Sequence, residues 1–188
     1  MRRLLPVSET TPGAVGAGDR DGDGGVRSDA IGRHEWTFDE LAAAYAYPAP
    51  HGGAGRGRPR PWLRANMIST LDGAAQHEGH SKPISGAADV RIFGVLRALA
   101  DVVVVGAETV RQEGYRPARA QAEAVELRRA AGQGPAPAIA VVSAGLELDF
   151  ALPLFTSPLV PTLLLTGAAA DPGRVAEAER AGVRVLVA

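Results

Sequence analysis

The segment DVVVVGAETVRQEGYRP, residues 101–117, decides the fold. Residues 102–105 are a continuous β-branched run, the pattern of a parallel strand covered on both faces. Gly106 follows, where a glycine lets the backbone turn and leaves room for a ligand. In open α/β sheets, ligands gather at the carboxyl ends of such strands. Residues 108–112 then predict a short helical turn.

Upstream lies a second extended apolar run that also ends in small and polar residues, RANMISTLDG at 64–73. Residues 63–68 predict a strand. Residues 85–99 predict a helix with Ser85 as N-cap and an apolar stripe of Val90, Phe93, Leu96 and Leu99, with Ala100 beside it. Downstream, strands are expected at 138–142, 162–166 and 183–187, and a weakly amphipathic helix at 121–131. A proline-interrupted loop at 152–161 is anchored by Leu154 and Phe155. A helix at 171–181 takes Asp171 as N-cap with Pro172 in its first turn. The alternation predicts an α/β domain with a mostly parallel sheet over 62–188. A chain that stops just after an apolar strand reads as incomplete at its C-terminus, since both faces of a parallel sheet need cover.

The N-terminal part reads differently. Residues 1–35 predict a disordered tail, rich in glycine and aspartate and poor in apolar residues. Within it, Asp19, Asp21, Asp23 and Gly24 match the first half of a calcium loop. The twelfth position, which needs a bidentate glutamate, is Ala30, so the segment reads as a linker. Residues 36–47 predict a short helix with Phe38, Leu41, Ala44 and Tyr45 on one face, and Gly, Pro and Arg make 51–61 a linker.

The 188 residues are 46% hydrophobic and 22% charged, which suits one globular domain. A net charge of −1 gives no general pull toward nucleic acid or anionic membrane. The absence of cysteine excludes disulfides and thiolate metal sites. No apolar run approaches the ~20 residues of a membrane span, and the N-terminus lacks a signal-peptide core, so a cytoplasmic location is expected. Lys82 is the only lysine in a chain rich in arginine and alanine, a bias that codon usage explains. No G-x-G-x-x-G, G-K-[ST], H-E-x-x-H or G-x-S-x-G motif occurs. His77 and His80 flank Glu78 on a glycine-bounded loop and read as solvent-exposed side chains rather than a metal site.

Four elements in order carry a resemblance: RPWLRANMISTLDG, GHSKPIS, a helix ending FGVLRALAD, and VVVVGAETVRQEGYRP. Together they resemble the C-terminal reductase domain of the bacterial riboflavin-biosynthesis deaminase–reductase, and most of all its stand-alone pyrimidine reductase relatives. The resemblance covers 62–188. It implies a dihydrofolate-reductase-like fold, NADPH as hydride donor and a phosphoribosylaminopyrimidine substrate whose ribosyl group becomes ribityl. It further implies a homodimer when the protein is complete, and the charge and hydropathy above add no nucleic-acid or membrane partner.

The resemblance also implies roles, position by position. Ile68, Ser69, Thr109 and Glu113 fall at cofactor positions, and Gly106 offers a ligand-facing turn. Asn66 faces the substrate, and with Asp72 it is a catalytic candidate. Ser81 and Arg97 fall at substrate positions, Arg97 on the phosphate, and Arg116 lies near another substrate arginine. Asp72 equally suits a turn former before Gly73. Arg97 has a structural alternative, an ion pair with Asp101 four residues on. Pro83 stands where many relatives have tryptophan. The family's Gly-Gly-Pro loop and a later substrate glutamate are expected beyond Ala188. The rival readings are a truncated, non-catalytic remnant of the family and an unrelated nucleotide-binding α/β module.

Overall fold

Four short parallel strands follow one another across the sheet in chain order: β1 (Val102–Gly106), β2 (Ala138–Val142), β3 (Leu163–Thr166) and β4 (Arg184–Val187). They belong to a computed structural model that describes residues 35–48 and 61–188. The chain divides at Thr37, and the unit Phe38–Ala188 holds the fold. Most of the expected tail, the calcium-like segment and nearly all of the linker lie outside the described residues.

The helices are α1 (Phe38–Ala44), α2 (Ala87–Leu99), α3 (Ala107–Gln112), α4 (Val125–Ala130), α5 (Pro153–Thr156) and α6 (Pro172–Arg180). Right-handed crossovers in a sheet of sequential order put the connections on one face. Burial agrees with that placement. The row Val105, Val141, Leu164 and Val185 runs across the sheet in register. Val141 and Leu164 in this row are fully buried, and the whole row packs in the core with Leu146, Phe150, Leu154, Phe155 and Ala178. Phe150 and Phe155 meet edge to face, with centroids 5.2 Å apart. The opposite face carries Val102, Val104, Val142 and Leu186, all exposed among the described residues.

Several sequence expectations need correction. Among the described residues, 63–68 pair with no strand, and Leu63 and Met67 are exposed. An extended apolar run alone does not make a strand when no neighbouring edge takes its hydrogen bonds. The N-cap of α2 is Gly86, not Ser85, whose hydroxyl instead donates to Asp89. The buried residues of α2 are Val95 and Ala98, while Val90 and Phe93 are exposed, so the helix is rotated from its expected stripe. The 152–161 loop contains the helical turn α5, which buries both expected anchors. Asp171 caps α6 as expected, accepting from the Arg174 N–H at 2.8 Å.

Candidate active site

Two clusters of candidate residues form at the carboxyl end of β1 and around the C-terminus of α2, joined by the segment from α3 to Gln121. The first gathers on Glu113, which caps the end of α3. Residues 77–80 form a tight hairpin: His77 and His80 exchange backbone hydrogen bonds of 2.8 and 2.9 Å. Its two central residues, Glu78 (φ 49°) and Gly79 (φ 82°), are both left-handed, as such a turn requires. The hairpin delivers Ser81 to Glu113. The Ser81 N–H and hydroxyl donate to Glu113 Oε1 at 3.3 and 3.4 Å, and His80 Nδ1 lies 3.9 Å from the same oxygen. His80, Lys82, Pro83, Gln112 and Glu113 line an open cleft of about 570 Å³.

The second cluster is cationic. Arg97, Arg116 and Arg119 line a cleft of about 260 Å³ with Pro117, Gln121 and Pro137. Arg97 Nη1 donates to the Tyr115 hydroxyl, and its guanidinium lies 5.3 and 5.4 Å from the ring centres of Phe93 and Tyr115. Cation–π contact on two rings holds the fork of a long side chain in place. The alternative pair with Asp101 is not formed among the described residues. Asp101 instead accepts from Gln133 Nε2 at 2.8 Å.

The remaining candidates line neither cleft. Asn66 and Ser69 are exposed on the unpaired 61–70 segment, and Ile68 is half-buried there. Asp72 sits in an exposed turn closed by Thr70 N–H to Ala74 O at 2.9 Å and Gly73 N–H to Thr70 O at 3.0 Å. Gly73 takes the left-handed φ of 88° that such a turn asks of a glycine. The Thr70 hydroxyl donates to Asp72, and this bond, with backbone N–H groups, holds the carboxyl below its ordinary value. Thr109 is exposed on α3. Gly106 is extended at φ −75°, a conformation open to any residue, and a Cβ there would meet nothing within 4 Å. Its missing side chain therefore leaves open space beside the strand end and is not needed for the turn.

Sequence reasoning missed Tyr115, Arg119, His80 and Gln112. Tyr115 and Arg119 flank Arg116, so the arginine–aromatic spacing of GYRPAR was the available signal. His80 had no such signal, because only the hairpin turns it toward Glu113. Among the described residues no group of three metal-ligating side chains forms.

A sequence model of the family described as RibD C-terminal domain matches residues 61–187. A solved structure of a pyrimidine reductase-like protein from Corynebacterium diphtheriae resembles this one with a TM-score of 0.59 at 30% sequence identity. The similarity covers 65% of this chain and 52% of that one, so this chain spans about half the length of that neighbour. No curated protein sequence matches the chain.

Proposed function

The chain belongs to the RibD C-terminal domain family, and on that basis we propose that it is an NADPH-dependent reductase acting on a phosphoribosylaminopyrimidine of the 5-amino-6-(5-phosphoribosylamino)uracil type. The observation that carries this reading is the cleft of three arginines, Arg97, Arg116 and Arg119. Guanidinium forks match the oxygens of a phosphate monoester, and three around one small cleft suit a doubly charged group. The dihydrofolate-reductase-like α/β fold shared with the reductase-like neighbour supplies a parallel sheet, and the carboxyl ends of such strands can hold a dinucleotide.

The residues present fit the cofactor. The open space at Gly106 leaves the carboxyl end of β1 approachable, with Thr109 exposed on the following helix. Gly106, Thr109 and Glu113, with Ile68 and Ser69, would hold NADPH, which supplies the hydride when bound. The chain's own residues bind and orient. Arg97, Arg116 and Arg119 take the phosphate, and Ser81 offers a hydroxyl to the sugar or base. Asn66 gives an amide that can donate and accept. Asp72, whose carboxyl is held ionised by the Thr70 hydroxyl, serves as an acceptor and not as a proton donor. The reading extends to a homodimer working in the cytoplasm. Among the described residues, no helix is long and apolar enough to cross a membrane.

The test follows NADPH oxidation at 340 nm with the phosphorylated aminopyrimidine and with its dephosphorylated form. Turnover of the phosphorylated compound, with the dephosphorylated one used much less well, is expected. No oxidation with either compound, or equal use of both, overturns the reading.

A further inference from the structure

Arg128, on α4, is the only charged side chain among the buried residues described, at 3% exposure. Its partners among the described residues are backbone carbonyls and no carboxylate. Nη1 donates to Ala98 O and Ala100 O, both at 2.8 Å, and Nε donates to Gly134 O at 2.7 Å. A buried cation with no ion-pair partner is costly to retain. Burial pushes its guanidinium below the usual range, and Asp101 opposes that only through its field.

The place of this charge suggests its use. Ala98 and Ala100 supply the last carbonyls of α2, where the negative end of a helix dipole collects. The same last turn carries Arg97, so an anion bound at Arg97 meets an unfavourable helix end. Tying down this helix end does not itself require a charge. Gln121 Nε2 donates to Gly94 O at 3.2 Å and Gln133 Nε2 to Leu99 O at 3.1 Å, so two neutral side chains already hold the same helix.

We propose that Arg128 is an electrostatic positioning residue of the arginine cleft: its buried charge on the final carbonyls of α2 offsets the helix-end potential and lets Arg97 receive a phosphate. The proposal rests on the phosphate reading of the cleft. A unit charge acting over on the order of 10 Å through an effective dielectric of about 20 is worth roughly a factor of ten in anion affinity.

The experiment uses the full chain, with ribose 5-phosphate as the probe and binding measured by calorimetry. Arg128→Gln, Arg128→Lys and Arg97→Ala are compared with the unmutated chain, alongside NADPH affinity and melting temperature. Arg128→Gln is expected to weaken ribose 5-phosphate binding about tenfold, and Arg128→Lys by no more than about twofold, with NADPH affinity nearly constant. Both variants melt lower, because both lose the fork. Affinity thus follows the charge while stability follows the hydrogen bonds. Equal weakening in the two variants, or unchanged affinity in folded Arg128→Gln, overturns the proposal. Should Arg128→Gln not fold, Arg128→Met takes its place: about tenfold weaker binding than in Arg128→Lys supports the proposal, and equal binding in the two overturns it. If the unmutated chain does not bind the probe, or Arg97→Ala binds it as well as the unmutated chain does, the phosphate reading itself fails, whatever Arg128 does.

Discussion

Three contacts meet on the guanidinium of Arg97: the Tyr115 hydroxyl and the faces of Phe93 and Tyr115. None of them neutralises its charge, which leaves the fork available to an anion beside Arg116 and Arg119. Arg97→Ala should therefore weaken phosphorylated substrate by about 2–5 kcal/mol, with NADPH affinity nearly unchanged. Arg97→Lys should recover only part, since a point charge lacks the fork. Calorimetry on both ligands checks this; unchanged substrate affinity with a lowered melting point would make Arg97 purely structural. Asp72 gives a prediction of a different kind. Its carboxyl is held below the ordinary 3.8 in the folded turn, chiefly by the Thr70 hydroxyl. A depressed folded-state value means the extra stability of the turn is fully present above the ordinary carboxylate range. It is lost as the pH falls below 3.8 through the lowered value. The amide signal of Gly73, followed by NMR titration, should shift in that window and lose the shift in Asp72→Ala.

Among the elements, α6 and α5 contrast in how their sequences announce them. Asp171 followed by proline marks a helix start on local grounds, and the cap bond forms. Asp171→Ala should cost about 1 kcal/mol in denaturant unfolding, within a span of roughly 0.5–2. The turn α5, by contrast, has only four residues, too few to show a helical period. What fixes it is the core: Leu154 is fully buried, and the buried Thr162 hydroxyl donates to the Leu154 carbonyl at 2.6 Å. Leu154→Ala should cost roughly 2–5 kcal/mol, with the upper part expected if the neighbouring Phe155 cannot move into the space. The helix α2 falls between these cases. Its existence was legible from periodicity, but its rotation was not, because α1, which packs against it, lies far from it in sequence.

For the molecule as a whole, the two faces of the sheet are unequal. One is packed by the crossover connections, and the other exposes Val102, Val104, Val142 and Leu186. Among the described residues β1 and β4 are also the edges of this sheet, with unpaired backbone groups to offer. The chain of residues 1–188 studied alone is thus expected to self-associate and to bind a hydrophobic dye, as exposed apolar patches do. Val104→Lys places a charge in the middle of that face, where the side chain is 58% exposed, and should reduce both effects. Sedimentation velocity across a concentration series checks it. A sharp monomer boundary for the unsubstituted chain at all concentrations would contradict the expectation.

The sequence by itself determined the strands β1 to β4, the start of α6 and the family, because these rest on short-range signals: β-branched runs, a cap with a proline, and motif order over 62–188. The resemblance also suggested Arg97 and Arg116 for one site, and the two line one cleft. Tertiary structure alone decided what those residues touch. Arg97 turned to Tyr115 and not to Asp101, although the Asp101 pairing satisfied helical spacing. Ser81 met Glu113 across 32 positions because a two-residue turn folded the hairpin toward α3. The extended 63–68 segment found no partner strand among the described residues. Spacing along a chain gives local geometry and leaves open the choice among partners far apart in sequence. That choice is made by burial and hydrogen bonding between elements packed in three dimensions.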